Sequence, residues 1–297
     1  MVKLYKRWRR FTPQKSFEPR HDIPRSGTNG VFSDAWRIVD EATRHYDVRS
    51  HGGIDQLDQE IERRKTTTHS AAEWLALVLL QTPRAARAQM QMDAHKHNYH
   101  DRHERLFELI DYNDSFVNAV LALPKNELAG FTERLRKASQ EVCRRLQAPN
   151  FSDEQFDGIT RGLAREIAVY RAALELGYKA RMTSRSEDAF GIDMVLEDEE
   201  GRVLNIDVKT PSAFRHRLGE LEREGRLSEQ EFLRADQVDY FTRLHKHQGS
   251  HAEKVLVTLL CVRPERLGEI VNFEFADPAA LGALLGIIAA ETDHNYE

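Results

Sequence analysis

Apolar residues recur at helical spacing through the first half of the chain and change to strand-like runs after about residue 190. Ser33 is placed to cap a helix reaching about Tyr46, and leucine and isoleucine at helical spacing predict another over 53–65. Ser70 and Glu73 form a capping-box pattern opening SAAEWLALVLLQ, with a break expected near Pro83. Further periodic segments cover 102–123 and 125–146. The clearest helix begins at Ser152: an acidic first turn follows, Ile159, Leu163, Ile167, Tyr170 and Leu174 make one apolar stripe, and Gly177 closes it as a C′ residue.

Beyond it, Phe190 to Leu196 and Val203 to Lys209 are rich in apolar and β-branched residues, and the polar segment 197–202 between them carries Gly201; the pattern predicts a β-hairpin. Thr210 and Pro211 precede a basic stretch with Arg215, His216 and Arg217. A second capping box at Ser228 and Glu231 predicts a helix to about Lys246, carrying Gln237 and Tyr240. Val255 to Val262 is a continuous apolar run, expected as a central strand of a mixed sheet. The expected class is α+β: a basic, aromatic arm and linker over 1–30, a helical domain over 31–149, and over 150–297 an α/β domain whose mixed central sheet is flanked by helices. Ala148-Pro149-Asn150 marks the boundary.

Composition narrows the class. The 297 residues suffice for two domains with real cores. No apolar region follows the basic start MVKLYKRWRRF, and the longest apolar stretch, Trp74 to Leu80, is far short of the roughly 20 residues of a membrane helix, so a soluble, cytoplasmic protein without a membrane partner is expected. Cys143 and Cys261 imply neither a disulfide framework nor a cysteine zinc site. Charge is uneven: residues 1–150 carry 25 basic against 20 acidic side chains, residues 151–297 carry 18 against 28. An acidic half repels phosphate backbones, so binding help is expected from the arm, where Lys6, Arg7, Trp8, Arg9 and Arg10 alternate charge with an aromatic ring, and from Arg215 and Arg217. His95, His97, His100 and His103 cluster without a nearby cysteine and read as a polar helix face rather than a zinc site. No phosphate-binding or dinucleotide glycine motif and no GxSxG is present.

Candidate chemistry lies on the hairpin. Side chains alternate along a strand, so Asp207 and Lys209 share one face, opposite Ile206 and Val208, and Asp193 on the neighbouring strand can meet Asp207, both partly exposed. Among eleven lysines only Lys209 has an acid two positions before it. Mg2+ is commonly held by one or two carboxylates with phosphate and water, which suits Asp193 and Asp207, with Mn2+ able to substitute. A lysine beside them can orient the attacking water or stabilise a phosphorane-like transition state. Glu166, at the edge of the apolar stripe, can supply a third acid.

Together these residues resemble the PD-(D/E)xK, or restriction-endonuclease-like, nucleases, with the pattern nearest that of archaeal Holliday-junction resolvases. Arg161, Gly162, Glu166, Gly177, Tyr178, Arg181, Ser184, Asp193, Asp207, Val208 and Lys209 follow in the family order over roughly residues 150 to 275. The proline that names the family is Ile192 here, and Gln237 and Tyr240 are three apart where RecB-like members have four. The resemblance implies metal or water ligation by Glu166, metal ligation by Asp193 and Asp207, and catalysis by Lys209. It implies a Mg2+-dependent nuclease acting on DNA, endonucleolytic ahead of exonucleolytic, with the helical domain positioning substrate. RNA or branched DNA as substrate, a homodimeric state, and a non-catalytic nucleic-acid-binding scaffold are left open.

Overall fold

The computed structural model describes residues 30–44, 53–94, 102–183, 191–246 and 254–294. The first half is built from α1 (Val31–Thr43), α2 (Gly53–Thr67), α3 (Ala71–Ala94), α4 (Arg102–Ala122), α5 (Lys125–Leu128) and α6 (Phe131–Arg145). The box at Ser70 forms as its sequence dictates: the Glu73 N–H donates to Ser70 Oγ at 3.2 Å, and the Ser70 N–H donates to the Glu73 carboxylate at 2.9 Å.

Three boundaries differ from expectation. α1 starts at Val31 with Gly30 as its N-cap, so Ser33 lies inside the first turn; Val31, Ala35 and Val39 bury one stripe, which draws the three extra residues into the helix. Pro83 does not end α3, which continues to Ala94. An interior proline costs about 3 kcal/mol, but Leu75, Leu77, Leu79, Leu80, Ala85 and Ala88 are buried around it, and burial at about 1.5–3 kcal/mol per large side chain outweighs that cost. The periodic segment over 125–146 is two helices, because Gly130 takes a left-handed φ of 66° between them.

Helix α7 (Asp153–Glu175) is framed as predicted. Ser152 and Gln155 form its capping box, and at its end Gly177, at φ 91°, donates its N–H to Leu174 O while Tyr178 N–H reaches Ala173 O. Its stripe is not the simple one expected. Phe156, Leu163 and Ile167 pack into the helical core, whereas Ala168, Val169, Tyr170, Ala172 and Ala173 pack into the core of the sheet, and Leu174 is left 44% exposed. The buried face broadens as the helix passes from one core to the other, so a single i, i+4 row does not describe it. Arg171 bonds the joint, donating to Val120 O at 3.2 Å and to Glu274 at 3.3 Å.

The remaining elements are β1 (Lys179–Met182), β2 (Met194–Glu197), β3 (Val203–Lys209), α8 (Pro211–Arg223), α9 (Glu229–Val238), β4 (Tyr240–Lys246), β5 (Lys254–Cys261), α10 (Pro264–Leu267), β6 (Ile270–Val271), β7 (Glu274–Phe275) and α11 (Ala279–His294). The architecture is mixed α+β, with a five-stranded mixed sheet in the order β1-β2-β3-β5-β4. β2 and β3 are antiparallel, with Met194 opposite Ile206, and β3 runs parallel to β5, with Asp207 beside Leu259. The hairpin strand β2 is shorter than expected and begins at Met194, because Gly191, at φ 73°, turns the chain just before it. α7 and α11 cover the sheet face carrying Leu204, Ile206, Val208 and Leu260; α8 and α9 cover the opposite face at Leu259 and Cys261.

The helix expected to run to Lys246 stops at Val238. Asp239 adopts a left-handed φ of 67°, is buried, and accepts bonds from Arg263 Nε and from Arg266 Nη1 at 2.8 Å; Tyr240 therefore starts an edge strand rather than sitting on a helix. Asp239→Ala is expected to cost about 1.5–3 kcal/mol: it removes a charged bond to Arg263, which keeps Asp236, and to half-exposed Arg266, and it puts a Cβ-bearing residue without local hydrogen bonding into the left-handed region. Urea unfolding measures this; a midpoint equal to the parent's would show that the ion pairs do not hold the helix-to-strand switch. Among the described residues no helix is long and apolar enough to cross a membrane.

Candidate active site on the sheet

The alternation along β3 sorts its side chains as read from sequence. Ile206 and Val208 enter the core under α7 and α11, while Asp207 and Lys209 point to the face that α8 covers. That face is not open. Asp207 is only 3% exposed, because α8, capped by Thr210 and starting with Pro211, folds back over it and buries Phe214, Leu218 and Leu221. The expectation of a partly exposed Asp207 is thereby corrected. Its carboxylate is paired with the Lys209 ammonium.

Asp193 precedes β2 and is positioned by backbone bonds on both sides. Its N–H donates to Ile206 O at 2.8 Å, its carbonyl accepts from Thr183 N–H, and its Oδ2 accepts the Val208 N–H at 2.6 Å. The carboxylate is thus tied to the stretch of β3 between Asp207 and Lys209. Glu166 arrives from α7. Its neighbour Arg165 donates to Val262 O at 3.3 Å, and the Val262 N–H donates to Lys209 O at 3.0 Å, which ties this turn of the helix to the end of β3.

Asp207 is in contact with the Lys209 ammonium, and Asp193 and Glu166 are near enough for their charges to act on it. Burial alone would pull Lys209 down, but the charges of Asp207 and Asp193, its bond to Asp207 and the charge of Glu166 outweigh burial and raise its pKa above the ordinary lysine value. Lys209 is held as a cation. It suits electrostatic stabilisation of developing negative charge, and not proton abstraction.

No family model matches the chain, and no curated protein or solved structure matches it.

Three carboxylates against the Lys209 ammonium and the nearby Arg243 guanidinium leave an excess of one negative charge in a covered place, which can accept a divalent cation. Among the described residues no three histidine, cysteine or acidic side chains are already arranged to hold a metal ion. Mg2+ does not require three, since one or two carboxylates with water and substrate phosphate suffice. Asp193 and Asp207 meet that requirement in kind, and the Glu166 carboxylate adds its charge to theirs. The residues present fit the ion.

Other expected residues stand elsewhere. Arg215 makes a two-pronged bond to Asp236 at 2.9 Å on each arm, and Arg217 donates to Glu220 at 2.7 Å. Lys6, Arg7, Trp8, Arg9 and Arg10 lie outside the described residues, as do Ser184 and the stretch from His95 to His100. Cys143 and Cys261 are free and buried, and burial pushes each thiol up to about 12.

Two residues of the site are not foreshadowed by any motif. Gly191 approaches so closely that a Cβ there would lie 3.4 Å from Asp207 Oδ2, and its left-handed φ excludes most other residues. Arg243, on β4, shares the Asp207 face and reaches the same place, with Nη2 at 4.0 Å from that Cβ position. Its signal was an arginine at an inward position of an alternating strand, hidden because the segment reads equally well as helix.

Proposed function

We propose that the chain is a metal-dependent nuclease of the PD-(D/E)xK, restriction-endonuclease-like kind that hydrolyses phosphodiester bonds in DNA. The observation that carries this reading is the ion pair of buried Asp207 with half-buried Lys209 on one strand face, with the charges of Asp193 and Glu166 acting on the same ammonium from a neighbouring segment and a crossing helix. A solvated hairpin ion pair would need neither burial nor two further acids.

A divalent cation held by Asp193 and Asp207 would lower the pKa of a bound water and neutralise charge on the phosphate. The Val208 N–H keeps the Asp193 carboxylate turned toward β3. Lys209 offers its cation to the phosphate oxygens, where negative charge grows as the P–O bond breaks. α8 excludes bulk water from one side, which strengthens each of these interactions. The mixed sheet flanked by helices on both faces agrees with this kind of domain at the level of its layers.

A second reading has its own observation. The pair could be purely structural in a non-catalytic binding protein, since no three-ligand arrangement is preformed among the described residues. The purified full chain, incubated with Mg2+ or Mn2+ and with linear duplex, single-stranded and branched DNA and RNA, separates the two. Cleavage of at least one DNA that stops on chelation is expected; no cleavage of any substrate with either ion would leave the structural reading.

A further inference from the structure

Arg243 is 7% exposed, and among the described residues its Nε and Nη1 have no hydrogen-bond partner. An arginine carries five N–H donors on three nitrogens and stays charged in proteins, so leaving two of those nitrogens closed off from water and unbonded is costly, on the order of 1–3 kcal/mol for each unmade bond. Other arginines of this half are bonded: Arg215, Arg217, Arg226, Arg263 and Arg266 all donate to carboxylates. Arg243 bears this cost beside Asp207, whose Oδ1, though paired with the Lys209 ammonium, is likewise without a hydrogen-bond partner among the described residues. Arg243 sits on β4 opposite Val257, on the face shared by Phe241, Leu259 and Asp207, and extends across β5 toward Gly191. Burial, then the charge of Arg217, lowers its pKa; Asp207 acts in the opposite sense, and Arg226 adds to the repulsion. Positive charge is therefore concentrated at the edge of an acidic site, with Nε and Nη1 unbonded among the described residues.

We infer that Arg243 is a phosphate-binding residue of this site, taking the oxygens of a nucleic-acid phosphodiester on donors that the protein leaves unbonded. This rests on the nuclease reading for its choice of ligand. The chemistry fits. A phosphate brings several acceptor oxygens and negative charge, and the guanidinium fork binds such groups in a two-pronged way. Carboxylates and cation would hold the reacting side of the phosphate; Arg243 would hold another oxygen of it, or the phosphate next along the strand. Gly191 matters here because a side chain at that position would fill the space between Asp207 Oδ2 and Arg243 Nη2.

The test uses the full chain and its Arg243→Met and Arg243→Lys variants, with inorganic phosphate and a labelled 20-residue DNA oligonucleotide as probes, in chelator so that nothing is cut. In phosphate-free buffer Arg243→Met is expected to unfold at or above the parent's temperature, because an unsatisfied buried charge has been replaced by a shape-compatible apolar chain. The upward shift in unfolding temperature that phosphate gives the parent should vanish. Oligonucleotide affinity should fall about 10- to 100-fold, and the dependence of log affinity on log salt should flatten by about 0.7–0.9, as expected when a single phosphate is no longer neutralised. Arg243→Lys, which keeps the charge without the fork, should fall between the two.

A lower unfolding temperature in Arg243→Met with phosphate and oligonucleotide binding retained would overturn the inference, and so would failure to fold, since the arginine would then be holding the structure. Loss of the phosphate effect with unchanged oligonucleotide affinity would make this a site for small phosphates and overturn the nucleic-acid assignment. The two proposals fail separately. A parent that cuts nothing while Arg243→Met loses oligonucleotide affinity removes the nuclease reading alone, whereas a cutting parent with normal binding in Arg243→Met removes this inference alone.

Discussion

Asp207→Asn is expected to abolish divalent-cation-dependent cleavage while the chain still folds. The substitution keeps the shape of a side chain that is only 3% exposed, so no cavity opens, but it removes the charge that would hold the cation and that now pairs with Lys209. Folding should weaken by about 1.5–3 kcal/mol, the worth of a bond between charged groups, because Lys209 retains Asp193 and Glu166 around it. Cleavage is followed on whichever DNA the parent cuts, and stability by urea unfolding. A variant that cuts at the parental rate would remove Asp207 from the site; one that does not fold would make its role structural, in which case Asp193→Asn carries the same test on the second ligand.

Lys209→Ala is expected to lower the cleavage rate constant by about 10²–10³, the usual loss when one fixed electrostatic group is taken from a transition state. Substrate affinity should change little, since the charge that Lys209 answers grows mainly as the bond breaks. Single-turnover kinetics at saturating DNA separate the two quantities. A fall in affinity as large as the fall in rate would show Lys209 to be a ground-state phosphate contact only. The pairing with Asp207 sharpens the test: Lys209→Ala also frees that carboxylate, so metal affinity should rise rather than fall.

Where local rules decide the outcome, the sequence was sufficient. The bounds of β3 follow from alternation and the Gly201 turn, and the start and end of α7 follow from Ser152, Gln155 and Gly177. The shared face of Asp207 and Lys209 was legible as well, because the period of β3 fixes their direction. What escaped depends on contacts distant in sequence. Asp239 ends a helix in a conformation normally marked by glycine, and it is held there by Arg263 and Arg266 from beyond β5. With that stop missed, β4 was hidden, and with β4 the approach of Arg243 to Asp207. The burial of Asp207 was hidden for a related reason: a strand's alternation tells which side chains share a face, and not which helix later covers it.

Helix α7 belongs to two cores at once, with Phe156 and Ile167 in one, Ala168 and Ala173 in the other, and Glu166 at the seam. A continuous 23-residue helix is a rod of about 35 Å, and it has no joint at that point. The orientation of the helical half relative to the strand carboxylates is therefore settled when the chain folds. A ligand touching both halves loses its own freedom on binding but does not also have to freeze the halves against each other, so that part of the entropic cost of recognition is already met before any encounter.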